Sequence, residues 1–143
     1  MATIKGMLIR VQAMKLNDVI NDAFDNTAVE LAEINREQML AGVKSDGSAM
    51  PDYSLASQEV FGKPDGPIVL KDTGAFQAAI TVTREGDVLH SESEDIKNDM
   101  LIERYGQNIF GIYGPFKKKY QTEFLRPALN ENINIATGLK FGK

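Results

Sequence analysis

The chain has no cysteine, a single histidine and no long apolar run. Without cysteine there is no disulfide, no thiolate nucleophile and no zinc–sulfur site, which fits a reducing compartment. Without a second histidine, His90 has no ready companion for a metal site or a catalytic pair. No stretch approaches the ~18–20 apolar residues that cross a bilayer. The start, Met1-Ala-Thr-Ile-Lys-Gly-Met-Leu-Ile-Arg10, lacks a basic segment, an apolar segment and a small-residue cleavage site in that order. No signal peptide is expected, and assembly in a cytoplasm is the default. Positive charge is also short: the formal net charge is −4. Dedicated nucleic-acid binding, which rests on Lys and Arg displacing phosphate counterions, is therefore disfavoured. There is no phosphate-cradling loop, no dinucleotide fingerprint, no nucleophile elbow and no internal repeat.

What is present suffices for one folded unit. With 143 residues and 43% apolar side chains, a single domain over 1–143 is expected. A chain of this size buries roughly two thirds of its unfolded surface. Residues 1–13 read as a strand or an N-terminal arm, because Met7, Ile9 and Val11 alternate with more polar neighbours, although Leu8 blurs the pattern. A terminal arm needs something to hold it, and in an assembly a neighbouring subunit can do so.

The strongest periodicity predicts one amphipathic helix from about Leu16 to Ala41. Leu16, Val19, Ile20, Ala23, Phe24, Ala28, Leu31, Ile34 and Leu40 form its stripe, and Asp18, Asp22, Asp25, Glu33 and Glu37 lie mainly elsewhere. Gly42 suits the left-handed residue that ends a helix. Such a helix spans roughly 39 Å, long for a domain of this size, so its stripe either packs wholly on its own sheet or reaches another subunit.

A long connection follows at 43–70, of the kind reserved for function or disorder. Ser45-Asp46-Gly47-Ser48 and Met50-Pro51-Asp52 are turn chemistry. The Asp46-Gly47 pair resembles a fragment of a calcium loop but lacks the alternating carboxylates and the closing glutamate, so a tight turn is expected. Ser54 can cap one or two helical turns ending at Gly62, with Leu55 and Val60 or Phe61 facing inward. Asp72 or Thr73 can cap a short helix carrying Phe76 and Ala79 or Ile80. A hairpin should run from Ile80 to Arg84, turn at Glu85-Gly86-Asp87 and return over Val88–Ser91. A helix is expected over about 95–105 with Ile96, Met100, Leu101 and Tyr105 buried, and Gly106 at its end. Asn108 to Gly114 reads as an apolar turn. Pro115 suits the first turn of a last helix carrying Phe116, Tyr120 and Phe124. Pro127 should kink or split it near Arg126, leaving a piece over about 128–136 and a loose tail at 139–143.

Two clusters bear on chemistry. Glu92, Glu94, Asp95 and Asp99 could bind a hard cation or serve a small metal-dependent enzyme. The plainer reading makes Asp95 a helix cap and its neighbours partners of the helix dipole. Lys117-Lys118-Lys119 could touch DNA phosphates or an acidic partner, or simply be solvated.

One ordered set of residues does carry a family pattern. Gly47, Met50 and Tyr53 lie in a loop after the long helix, and Leu70, Asp72, Thr73, Gly74 and Phe76 form a Leu-x-x-Thr-Gly-x-Phe element entering the hairpin. The arrangement resembles the small head–tail joining and tail-completion proteins of long-tailed bacteriophages, in particular the superfamily of Mu-type virion morphogenesis proteins. It covers about residues 15–92. Beyond it many members carry Tyr-Ala and His-Gln-x-Gly. This chain has Asp95-Ile-Lys97 and Tyr105-Gly106-Gln-Asn-Ile109-Phe110-Gly111-Ile112, a diverged version with an inserted helix. The resemblance implies an α+β fold: a long amphipathic helix on a small antiparallel hairpin, with two or three helices in the C-terminal half. It implies no enzymatic role and no cofactor or metal. The expected partners are copies of the chain in a ring, portal or adaptor proteins and tail-tube proteins, with DNA at most passing through the lumen and no membrane. The expected location is the virion. Val19, Phe24, Met50, Tyr53, Gly86, Phe110 and Tyr113 are the candidates for subunit contacts. A third reading is a binding module that presents its long helix to a partner.

Overall fold

The computed structural model describes residues 3–13 and 15–138. The expected loose tail at 139–143 lies outside them. The fold is α+β: among the described residues, helices pack with one two-stranded antiparallel sheet.

The first residues form a helix, α1 (Ile4–Ala13), and not a strand or extended arm. Two local features explain the correction. The Thr3 hydroxyl accepts from the Gly6 amide at 3.1 Å, which caps the helix. Ile4 and Leu8 also stand one helical turn apart, so the residue that blurred the alternation belongs to a period of 3.6. Arg10 Nη1 donates to the Thr137 carbonyl at 3.4 Å, tying α1 to the C-terminal helix.

The single long helix is two: α2 (Leu16–Asn26) and α3 (Ala28–Leu40). Thr27 breaks it, with φ −113° and ψ 15°. Its hydroxyl donates to the Ala23 carbonyl at 2.7 Å and lies 2.8 Å from the Tyr120 hydroxyl. A hydroxyl has one proton to give, so Tyr120 donates to Thr27. The periodicity runs through the break because both halves use the same face; it reports which side is apolar, not whether the axis is continuous. Each helix is of ordinary length, so helix length does not point to a neighbouring subunit.

This buried hydroxyl pair makes a stability prediction. Thr27→Val keeps the shape but strands the Tyr120 hydroxyl, which is 3% exposed. A loss of about 1–3 kcal/mol is expected in urea unfolding. Adding Tyr120→Phe should recover most of it, because both polar groups are then gone. Additive losses would contradict the pairing.

α3 ends as expected. Gly42, at φ 70°, donates to the Met39 carbonyl at 2.9 Å, and Val43 donates to the Gln38 carbonyl at 3.3 Å. These bonds use two of the carbonyls that a helix end leaves open. A Cβ at Gly42 would meet Pro67 Cγ at 2.5 Å, so the side chain is excluded by space as well as by φ.

Strands β1 (Ile80–Glu85) and β2 (Val88–Ser93) pair from Ile80 opposite Ser93 to Glu85 opposite Val88, around the turn Gly86-Asp87. Ile80 is buried, Val82 and Leu89 are half-buried, and this face packs on α3. Arg84 grips Asp25 of α2 with two parallel bonds of 2.9 and 3.0 Å, fixing the hairpin to the helix pair.

Later elements are α4 (Leu55–Phe61), α5 (Ala75–Ala78), α6 (Asn98–Tyr105), α7 (Gly114–Tyr120) and α8 (Arg126–Thr137). Helix α6 starts later than expected, after the Asp95 carboxylate has accepted from the Lys97 amide at 2.8 Å. Asp95 thus closes a turn ahead of the helix. Pro127 does not split its helix. A π-helical turn over Gln121–Leu125 joins α7 to α8, and Arg126 keeps helical angles, φ −62° and ψ −46°. A widened turn is a place where the bond that proline cannot make is given up without ending the helix.

The core has two neighbouring parts. One joins Ala32, Met39, Met50, Phe76, Ile80, Ile109 and Phe110. The other joins Leu31, Ile34 and Tyr120, with Phe24, Phe116, Phe124 and Leu125 packed against them.

Candidate assembly surface

The connection at 43–70 is a built arm, because its two limbs pair with each other. Met50 donates to the Gly42 carbonyl at 2.8 Å, Tyr53 to Gly66 at 3.0 Å, and Ile68 to Pro51 at 2.9 Å. Asp52 and Pro67 form an antiparallel bridge. The first limb is also pinned to the α6–α7 region. Lys44 Nζ donates to the Tyr105 carbonyl at 2.8 Å, and Ser45 N to the Asn108 carbonyl at 2.8 Å. Asp46 accepts from the Ser48 amide and hydroxyl and from Asn108 Nδ2, so the expected tight turn is present. Gly47 lies under the Tyr113 ring, where a Cβ would come within 2.9 Å of Cε2.

Helix α4 is what this arm carries. Ser54 Oγ accepts from the Ser57 amide at 3.1 Å and Gly62 ends the helix at φ 61°, as the sequence predicts. The expected inward face is absent. Leu55 is 74% exposed, Val60 71% and Phe61 75%. The arm's limbs satisfy each other and leave the helix at the tip with nothing of its own chain to cover it. Of the four residues expected in the core from this region, Leu101 and Tyr105 pack against it, whereas Ile96 and Met100 are exposed, because α6 begins only at Asn98. Burying a large apolar side chain is worth roughly 1.5–3 kcal/mol. Three such residues are left uncovered around one seven-residue helix.

The Leu70–Phe76 element joins the arm to the sheet. Leu70 has φ 54°, a left-handed conformation rare for a leucine, and packs half-buried on the core. Asp72 does not cap α5; it lies between Lys63 at 3.6 Å and Lys97 at 3.5 Å. Thr73 Oγ1 accepts from the Ala75 amide at 3.3 Å, and Gly74 occupies the cap position at φ 88°. Phe76 is buried against Phe110, ring centroids 5.9 Å apart.

That aromatic pair separates two open grooves. One, of about 470 Å³, is lined by Phe24, Leu31, Leu89, Ile112 and Leu125, with His90, Lys117 and Gln121 among its polar residues. The other, of about 500 Å³, lies beside α4 between Phe61, Leu70, Phe76 and Met100, with Lys63, Asp72 and Lys97 among its polar residues.

The contact candidates divide accordingly. Val19, Met50 and Phe110 are core residues, 5–7% exposed, packed mainly within the chain, which corrects their place as surface candidates; Phe110 also borders the first groove. Their apolar character marked burial within the chain. Phe24 lines the first groove and Tyr53 the second. Gly86 is exposed at the hairpin tip, and Tyr113 is half-buried over Gly47.

The residues that hold the surface in place carry no apolar signal. Asn35 and Gln38 are fully buried on α3. Both donate to the Gly111 carbonyl, at 3.0 and 2.9 Å. In return Asn35 Oδ1 accepts from Gly111 N, and Gln38 Oε1 accepts from Tyr113 N. Arg36 clasps the carbonyls of Gln77, Ala78 and Ile80 and also pairs with Glu33. Polar residues inside an apolar stripe were the available sign. A buried amide is tolerated only when its bonds are made.

His90 lies 3.4 Å from the Glu85 carboxylate near the turn of the hairpin. Glu92, Glu94 and Asp99 are exposed. Among the described residues, no group of three or more His, Cys, Asp or Glu side chains is placed to hold a metal ion. Nor is any helix there long and apolar enough to cross a membrane.

Two carboxylates tie the arm and the hairpin electrostatically. The Ser48 hydroxyl and amide hold Asp46 below the ordinary aspartate value of 3.8, and the Arg84 guanidinium does the same for Asp25. A depressed folded-state value favours folding above the unfolded value, and the benefit is lost as pH falls through the folded value. Urea midpoints should therefore drop as pH is lowered below about 3.8, and drop less in Asp46→Asn. An equal fall in Asp46→Asn would contradict the contribution of this turn.

No protein-family model matches the chain, and neither a curated protein nor a solved structure matches it.

Proposed function

We propose that this chain is a structural subunit of a bacteriophage virion, forming a ring at the head–tail junction or completing the tail. The observation that carries the proposal is the arm at 43–70, which is bonded to its own chain along both limbs and holds an uncovered apolar helix at its tip. The Gly47–Tyr53 loop and the Leu70–Phe76 element, on which the resemblance to tail-completion proteins rests, are the parts that position this helix. Exposed Ile4, Leu8 and Ile9 on α1 add a second apolar face suited to a neighbour.

In this reading the chain acts by shape. Its partners are further copies of itself, with portal or adaptor and tail-tube proteins above and below. DNA only passes through the lumen. Assembly takes place in the host cytoplasm and the product resides in the virion. An antibody against the chain, applied to purified particles of the encoding phage, should label the head–tail junction or the tail terminus. Particles free of the chain, in label and in mass spectrometry, would overturn the proposal.

A further inference from the structure

We propose that the groove beside Tyr120 receives α4 of the next copy of this chain. The inference deepens the ring reading and rests on it. Around α4 the arm displays Leu55, Val60 and Phe61, with Glu59 between the first two. Apart from it an apolar groove of about 470 Å³ runs between Phe24, Leu31, Leu89 and Leu125, with Lys117 in its lining. A seven-residue helix is about 10 Å long and about 10–12 Å across with its side chains, so the groove takes side chains from one face of it, not the whole helix.

Charge complementarity selects the occupant. Glu59 and Lys117 are both exposed, and among the described residues neither makes an ion pair. Each sits in an apolar setting that meets the other's when helix and groove combine. Water leaving such a contact strengthens the pair.

Geometry excludes the chain's own helix as the occupant. The groove beside α4 and the groove beside Tyr120 share no lining residue, and the Phe76–Phe110 pair lies between them. The limb bonds at 50–53 and 66–68 hold the arm on its own side. Helix and groove are different surfaces, so the contact is head-to-tail; repeated, it closes a ring if the rotation allows.

The absence of cysteine gives a clean test. Val60→Cys and Gln121→Cys change exposed residues on the helix and at the groove. Mixed and mildly oxidised, the two should form a disulfide-linked pair, and the double variant should form a ladder of multimers. Val60→Cys mixed with Thr73→Cys, on the other groove, should not. Glu59→Lys and Lys117→Glu should each weaken self-association at least about tenfold, and the double exchange should restore most of it. If the chain self-associates but neither charge change matters, or if Val60→Cys links to itself or to Thr73→Cys, the groove is not the seat of α4 and the ring reading survives. If sedimentation shows a monomer at every concentration, both proposals fall.

Discussion

Val60→Asp combined with Phe61→Asp is expected to leave the chain folded and to abolish its self-association. Both residues are more than 70% exposed within the subunit, so the folded chain loses little. Surface changes of this kind stay within about ±0.5 kcal/mol. In the proposed assembly the same side chains would be covered. Burial of each contributes roughly 1.5–3 kcal/mol, so losing both costs about 3–6 kcal/mol of association. That is a weakening of roughly a hundredfold to ten-thousandfold. The check is paired: urea midpoints for the subunit, sedimentation for its association. A variant that unfolds would show that α4 packs on its own chain. One that still assembles would remove α4 from the contact.

Phe110→Ala is expected to give the opposite pattern. Phe110 is 5% exposed, meets Phe76 at 5.9 Å and shares a core with Ile80, Met39 and Met50. Truncating a buried phenylalanine costs about 3–5 kcal/mol, the lost transfer energy plus the cavity left behind. Small domains hold only about 5–15 kcal/mol in all, so the variant should approach the limit of folding. Phe110→Leu, which keeps more of the volume, should lose less and remain measurable. Unchanged stability together with weakened assembly would return Phe110 to the subunit surface.

These two residues show what could be read from the sequence. Phe110 and Phe61 are both phenylalanines close to turns, and nothing in the local pattern tells them apart. Whether an apolar side chain is covered depends on which limb pairs with which, and that is a property of the folded arm. The hairpin, the cap at Ser54 and the helix end at Gly42 were legible because each is decided within a few residues by turn or capping chemistry. The break at Thr27 was not. Its hydroxyl is held by Tyr120, 93 positions away, and no local period registers such a partner. The same holds for Asn35 and Gln38, whose place inside the stripe makes sense only once Gly111 and Tyr113 come to meet them. Helix α1 is a different case. A two-residue alternation over so short a segment competes with the helical spacing of Ile4 and Leu8, and the Thr3 cap decides for the helix.

Several contacts anchor the arm that carries α4. Lys44, Asp46 and Ser45 fasten its base, and Leu70 takes a left-handed turn to rejoin the sheet. A strained leucine and an uncovered helix each cost stability in the lone subunit. In the proposed ring, coverage of α4 by a second copy would offset that cost.

Sedimentation velocity of the purified, unmodified chain over a wide concentration range tests this most directly. A discrete higher-mass species should form at the expense of the monomer, and the Val60→Asp, Phe61→Asp variant should lack it. A single 15.8 kDa species at every concentration, for both proteins alike, would contradict the claim that the chain works by joining to its own copies.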